Sequence, residues 1–401
     1  MSDDPQPLSQ TGKTPADHRV HALDALRGIA ALVVLYAHIL YVYGTKEIWI
    51  AAARRGEFLG LLLARTPLGM FFSGGEAVII FFILSGFVLA LPFLAGTPPR
   101  YGAFAIRRFF RIYPPYAFAL LVAVVARILV AVVPVAGISS WFAAFWAAPV
   151  TLKTIAGYLA MTGFPEHTTI DFVVWSLIHE MRISLIFPLL FAATCFGRPW
   201  LRLAAFFTLS YVCACLSVRL APTQQGLQTL LQTGSYVWFF VIGIELARHR
   251  RAVTLWIQSR GRIVFAALLS LAACFYGARL IFPALGFRPE SDFIVGIGAA
   301  GFVAFAFGRA RFERWLSWPP FLFLGRISYS LYLLHPIVLL TFVYALHGVL
   351  SREVMLIVMA PASVLVAWAG QRFVEEPSMR LGRALARRTL ARHAPPKLKT
   401  A

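Results

Sequence analysis

Residues 23–43 read LDALRGIAALVVLYAHILYVY, with Arg27 and His38 framing ten almost wholly apolar residues. At 1.5 Å per residue a stretch of this length crosses the roughly 30 Å hydrocarbon core of a bilayer as one helix. Eleven steps of 100° return nearly to the same helix face, so the two groups stand in line, about 16 Å apart along the axis. An arginine near one membrane surface is thereby aligned with a histidine near the midplane. Ionisable groups at such depth are costly and face a cavity or a partner. The alternative is a snorkelling Arg27 and a His38 that is a hydrogen-bonded core residue.

The rest of the chain agrees with a membrane setting. Of 401 residues, 59% are hydrophobic and only 13% charged, far from the balance of a soluble domain. Apolar runs predict spans near 22–43, 72–95, 112–135, 172–196, 201–220, 232–248, 262–283, 291–308, 321–347 and 353–373, each near or above the length a crossing needs. The stretch 141–163 is aromatic-rich but broken by Pro149 and Lys153, and reads as interfacial or re-entrant. The expected fold is an all-α polytopic bundle of about ten transmembrane helices, with eleven as the alternative.

The net charge of +20 invites a nucleic-acid reading, which the distribution of the charge removes. Basic residues cluster in alternate loops, around Arg100–Arg111, Arg198–Arg202, Arg248–Arg262 and Arg309–Arg314, and again in the tail from Arg380 to Lys399. The loops near Glu166 and Asp171, and near Glu290 and Asp292, lack that excess. By the positive-inside rule both termini are cytoplasmic, in agreement with an even number of spans. Residues 1–20, with Asp3, Asp4 and three prolines, are expected to be a disordered cytoplasmic tail. Residues 21–378 form the membrane domain and 379–401 a basic cytoplasmic tail. Cys195, Cys213, Cys215 and Cys274 fall in or beside apolar spans without metal-ligand spacing, so no metal site is expected.

Five further stretches carry polar groups into or beside apolar surroundings. GGEAVIIFFILSGFVLA, residues 74–90, has small residues, among them Ser85, that permit close helix approach. Its Glu76 is either a solvated rim carboxylate or a group that orients a hydroxyl. RRFFRIYPPY, residues 107–116, sets Arg107, Arg108 and Arg111 three and four apart, a cationic helix face able to hold phosphate oxygens. WSLIHEMRISLIFPLL, residues 175–190, places His179, Glu180 and Arg182 in a hydrophobic helix after Trp175. A zinc-protease reading fails because position 183 is Ile183, so these charges suggest a polar cavity in which Glu180 pairs with Arg182 or with a histidine of another helix. LGRISYSLYLLHPIV, residues 324–338, lines up Ser328, Tyr332 and His335 on one face, and Pro336 is expected to kink that helix. RFVEEPSMRLGR, residues 372–383, reads as a helix stop with a salt-bridge site at Glu375 and Glu376.

These stretches, in this order, resemble acyltransferase family 3, integral membrane proteins that modify bacterial cell-envelope glycans and some antibiotics. The resemblance runs over residues 20–380. It rests on the Arg27–His38 spacing, FFILSGF at 81–87, RRFFRIYPPY, WSLIHE, GRISYSLYLLHP and the Glu376-Pro377 ending. It implies ten spans, an acyl-CoA donor, transfer to a hydroxyl that is usually on a carbohydrate, and an essential arginine–histidine pair. Two departures concern the acceptor side: Ile79 stands where many members have an aspartate, and Met181, Arg182, Ile183 and Ser184 replace the usual continuation of the WSL motif.

Acyl transfer from a thioester needs a base for the hydroxyl proton and a group to steady the oxyanion. The expected roles are His38 as that base or as a transient acyl carrier, with Glu180 and His335 orienting or relaying. Arg27, Arg107, Arg108 and Arg111 would hold the donor, the arginine cluster docking its phosphates. Glu76, Ser85, Trp175, His179, Arg182, Ser328 and Tyr332 are expected to line the cavity or meet the acceptor. No bound cofactor is expected, acyl-CoA being a substrate with acetyl the expected group, and the resemblance implies a multi-pass protein of the bacterial inner membrane. The alternatives are a transporter or flippase of lipid-linked sugar, for which no repeated halves are found, and an acyltransferase with a lipid or small-molecule acceptor.

Overall fold

The computed structural model describes residues 15–96, 98–163, 169–220, 224–286 and 288–392. Most of the N-terminal tail, Glu166, Lys397 and Lys399 lie outside the described residues. Helix α1 (Pro15–Val42) is followed by α2 (Thr45–Arg54), α3 (Phe58–Arg65) and a 3₁₀ turn, Pro67–Phe72. Next come α4 (Gly74–Leu94), α5 (Tyr101–Leu129) and the short α6 (Ser140–Ala143) and α7 (Leu152–Leu159). Helices α8 (Val174–Ala193), α9 (Pro199–Leu220) and α10 (Gln225–Arg248) precede α11 (Arg250–Gln258), α12 (Arg262–Tyr276) and α13 (Ala278–Ile281). The remainder is α14 (Pro289–Gly308), α15 (Ala310–Leu316), α16 (Pro319–Leu346), α17 (Arg352–Gly370), a π turn at Gln371–Glu375 and α18 (Glu376–Arg392). No strand occurs among the described residues, as expected where lipid leaves the backbone no partner outside its own helix.

Among the described residues nine helical stretches are long and apolar enough to cross a membrane. The expected tenth, α12, has only 15 residues, short of the roughly 20 required. Its place in the chain nevertheless demands a crossing. Gly28 of α1 lies against Gly325 of α16, and His38 against His335, so these two helices run parallel. Successive crossings alternate in direction, and seven helices (α4, α5, α8, α9, α10, α12 and α14) separate the parallel pair only if α12 is counted. With six the pair would be antiparallel. Helix α12 together with α13 therefore completes a tenth traverse. The aromatic stretch 141–163 holds only the short α6 and α7.

Two expectations are corrected. The span expected at 112–135 lies earlier, because α5 begins at Tyr101, ends at Leu129 and encloses both Pro114 and Pro115. Nor does the chain stop at Glu376-Pro377. The Glu376 N–H reaches back five residues to the Gln371 carbonyl, and this wider turn accommodates a proline that has no N–H to give. The helix then continues as α18, whose Gly382 lies against Phe110 of α5. The basic segment from 379 is thus helical as far as Arg392 and packs on the bundle.

Small residues set the closest approaches. A Cβ on Gly28 would lie 2.3 Å from the Gly325 nitrogen, and one on Gly325 would lie 2.5 Å from the Asp24 carbonyl oxygen. A second crossing joins Gly86 of α4 to Gly243 of α10 in the same manner. In lipid, where burial of apolar surface drives little, such backbone-to-backbone contact supplies the packing energy.

Gly28→Ala should therefore force α1 and α16 apart at a cost of about 1–3 kcal/mol, lowering the thermal midpoint of the detergent-solubilised protein. Gly102→Ala, whose Cβ would meet only Thr389 at 4.0 Å, should not. Equal midpoints for the two variants in heated size-exclusion profiles would contradict this helix register.

Candidate active site

At the end of the bundle where α1 begins, a cavity of about 340 Å³ opens between α1, α4, α5, α8 and α16. Arg27, Arg108, Arg111, Glu180, Ser85 and Ser328 face it. Helix α5 supplies Arg108 and Arg111, three apart and on one side. Arg27 is held by Asp24 one turn earlier at 2.8 Å. Ser85 Oγ donates to Glu180 Oε1 at 2.9 Å, and Arg108 Nη2 donates to the same oxygen at 3.3 Å and to Ser184 Oγ at 2.8 Å. Arg108 Nε is buried and donates to no described group. Arg111 is anchored from behind, its Nη1 donating to Glu375 Oε1 at 2.5 Å and its guanidinium lying over the Tyr329 ring. Ser330 Oγ donates to the other oxygen of Glu375 at 2.7 Å. Since Glu375 stands outside the lining, the walls carry three guanidiniums against Asp24 and Glu180, and an anion is the ligand they favour.

Ten residues beyond the Gly28–Gly325 contact, His38 Nδ1 meets His335 Nε2 at 2.9 Å. His335 Nδ1 lies 2.8 Å from the Leu331 carbonyl oxygen, which can only accept, so the His335 proton is on Nδ1 and its Nε2 carries the lone pair. His38 must then donate from Nδ1, which leaves its own lone pair on Nε2. That is the tautomer a general base requires. His335 is wholly buried. Around His38 the rings of Trp141 and Phe172 pack at centroid distances of 5.7 and 4.8 Å, the first parallel and the second edge-on.

Tyr332 stands between the two clusters. It lines the arginine cavity and precedes His335 by one turn, its ring 6.3 Å from the imidazole. Its hydroxyl is hydrogen-bonded to Ser176 Oγ at 2.6 Å and reaches the Val173 carbonyl at 3.2 Å. The loop that carries Phe172 is pinned by Tyr158, whose hydroxyl accepts from the Ile170 and Asp171 N–H groups at 2.9 and 3.1 Å. Trp146 Nε1 adds a bond to the Ile170 carbonyl at 3.0 Å.

The structure gathers Arg27, Ser85, Arg108, Arg111, Glu180, Ser328 and Tyr332 at one cavity, with His38 and His335 beyond it. It does not bring the other candidates there. Arg107 turns outward and is exposed, because the α5 face that seats Arg108 and Arg111 rotates it toward a separate groove. Glu180 pairs with neither Arg182 nor a histidine, its partners being Ser85 and Arg108. His179 meets Thr233 Oγ1 at 2.9 Å on the α10 side of α8, where Trp175 and Tyr236 pack on it. Arg182 donates to the carbonyls of Thr162 and Thr229, tying α8 to its neighbours. Glu76 is no solvated rim group, for it is 1% exposed and faces Arg279.

Asp24, Glu375, Trp141 and Phe172 joined the site without having been expected. Asp24 had a local signal, three residues before Arg27, and Glu375 a motif but no visible partner. Among the described residues no group of three or more His, Cys, Asp or Glu side chains is placed to hold a metal ion. A family model described as an acyltransferase domain matches residues 20–372. No curated protein and no solved structure gives a match.

Asp171 provides a test of the loop behind Phe172. Its Oδ1 accepts from the Val173 N–H at 3.2 Å, Oδ2 has no described hydrogen-bond partner, and burial pushes its pKa up to about 7. The folded state thus holds this proton more tightly than the unfolded chain. Its contribution to stability is full below the unfolded value of 3.8 and is lost as pH rises toward about 7. Asp171→Asn keeps the acceptor and removes the charge, so its thermal midpoint should exceed that of the unsubstituted protein at pH 8 and converge with it near pH 4. A wild-type midpoint that rises from pH 5 to pH 8 in parallel with that of the variant would contradict the assignment.

Proposed function

This chain belongs to the acyltransferase family whose domain model it matches over residues 20–372, and we propose that it carries an acyl group, acetyl in the simplest case, from acyl-CoA to a carbohydrate hydroxyl of the bacterial cell envelope. The observation that carries this reading is the His38–His335 pair, held in one tautomer, with an arginine-lined cavity on the other side of Tyr332. On this reading the arginine-rich end faces the cytoplasm, as do both termini, and the donor enters there.

The coenzyme A phosphates would bind Arg27, Arg108 and Arg111, with the Arg108 Nε–H as a donor that the protein itself leaves unused. The thioester arm would extend past Tyr332 toward the histidines. His38 Nε2 removes the acceptor hydroxyl proton as the oxygen attacks the thioester carbonyl. The resulting imidazolium still donates from Nδ1 to His335 Nε2, so its charge is stabilised without a change of tautomer. Collapse of the tetrahedral intermediate breaks the carbon–sulfur bond, and the departing thiolate takes the proton back from His38. The products are the ester and free coenzyme A, and His38 is regenerated. His335 is a positioning residue, oriented in turn by the Leu331 carbonyl. Glu180 holds Arg108 in place and is not part of the relay.

His38→Ala should reduce transfer from labelled acetyl-CoA to envelope glycan by about 10²–10⁴-fold, the range of a lost general base, and activity near wild type would remove the proposal. Arg108→Ala should raise KM for acetyl-CoA about tenfold, equivalent to the roughly 1.4 kcal/mol of one charge-assisted contact. With acetyl-pantetheine, a donor without nucleotide phosphates, the same variant should lose far less. Equal losses with both donors would reduce Arg108 to a structural support for Glu180.

A further inference from the structure

A groove of about 560 Å³ adjoins the arginine cavity, between the last turns of α4, the first turns of α5 and Leu390 of α18. Val88, Leu89 and Arg108 line both spaces, so Arg108 stands in the wall between them. The α5 side of the groove is a single helix face. Arg100, Ala103, Phe104, Arg107 and Arg108 line it, at the i, i+3, i+4, i+7 and i+8 spacing that keeps residues in line. Arg111, one turn beyond Arg108, faces the neighbouring cavity. One helix thus presents guanidiniums to two adjoining spaces.

The chemistry of the groove's ligand follows from its walls. Its charged residues are Arg100, Arg107 and Arg108, and among the described residues no carboxylate lines it. Arg100 and Arg107 are exposed, and the buried Arg108 Nε donates to no described group. The start of α5 adds to the same field. Arg100 is its N-cap and makes no side-chain cap bond, and Phe104 N is the first to reach a carbonyl four residues back, that of Arg100 at 3.0 Å. The N–H groups before it bring partial positive charge to the end where Pro98 and Pro99 enter. These walls select an anion, and the apolar floor of Val88, Leu89, Pro92 and Phe104 suits an anion joined to a flat apolar body.

An acyl-CoA has that chemistry at one end. Its ribose carries the pyrophosphate and thioester arm on the 5′ carbon, and beside the adenine it carries a phosphate monoester on the 3′ carbon. Such a monoester holds about −1.5 to −2 charge at pH 7. The arginine cavity sets three guanidiniums against Asp24 and Glu180, an excess too small to compensate all three phosphates. We infer that the α4–α5–α18 groove is a subsite for the 3′-phosphate and adenine of the donor, held by Arg100 and Arg107, with the pyrophosphate at Arg108 where the two spaces meet. This deepens the acyl-transfer reading and rests on it. Arg107 thereby binds the donor from outside the cavity that holds Arg27 and Arg111.

The test uses the full chain in detergent, titrated calorimetrically with coenzyme A and with 3′-dephospho-coenzyme A, so no acyl group has to move. The unsubstituted protein should bind coenzyme A about tenfold more tightly than the dephospho form, a comparison that needs no variant to fold. Arg107→Ala should raise the Kd for coenzyme A about tenfold, or 1.4 kcal/mol, and leave that for the dephospho form unchanged. Arg108→Ala should weaken both. If neither ligand binds, the acyl-CoA reading fails and the subsite with it. The subsite alone is overturned if the unsubstituted protein binds both ligands equally, if Arg107→Ala weakens both alike, or if Arg107→Ala keeps the preference for coenzyme A. In that last case, a fall in the phosphatidylglycerol retained by the variant in lipid-doped detergent would assign the groove to a lipid headgroup instead.

Discussion

The close contact of α1 with α16 is the constraint on which the site depends. Gly28 and Gly325 let the two backbones touch, and the parallel register set there places His38 beside His335 ten residues further along. Asp24 and Arg27 precede that contact on α1 and Ser328 follows it on α16, so one crossing positions the arginine cavity and the histidine pair together. A side chain at either glycine would alter the spacing of both, because neither helix can bend locally without giving up backbone hydrogen bonds that lipid cannot replace.

Within that frame, the carboxylates of the interior act as fasteners between helices. Glu180 joins α8 to α5 through Arg108, and Glu375 joins the π turn to α5 through Arg111. Glu245 of α10 holds Arg202 of α9 at 2.9 Å and Arg248 of its own helix at 2.7 Å. An unpaired charge at such depth is expensive, and pairing with hydrogen bonds on both sides makes it tolerable. The pairs also keep each guanidinium from collapsing onto the wrong neighbour. Arg111, gripped by Glu375 and seated over Tyr329, is one whose direction is determined before any ligand arrives.

The two ends of the bundle are built differently. At the arginine-rich end the cavity is framed by long helices, and its polar groups come from their faces. At the other end the rings around His38 come from the short α6 and from the loop before α8, held by Tyr158 and Trp146. The base is thus carried on rigid helices while its surroundings belong to connecting segments, an arrangement in which chemistry stays constant as the surface that meets an acceptor varies.

Local periodicity was sufficient for much of this. The all-helical class, the position of most spans and the alignment of Arg27 with His38 follow from hydrophobic run length and the 3.6-residue repeat, which act within one segment. The motifs also pointed correctly to Arg108, Arg111, Ser328 and His335 as residues directed inward. Partner choice was decided only by the tertiary structure. That Glu180 takes Arg108, that Glu76 takes Arg279 and that His179 and Arg182 serve the α8–α10 contact depends on which helix faces meet across gaps of tens to hundreds of residues. Small residues such as Gly28, Gly325, Gly86 and Gly243 set those meetings through close backbone approach, and a glycine in an apolar run carries no local mark of the helix it will touch.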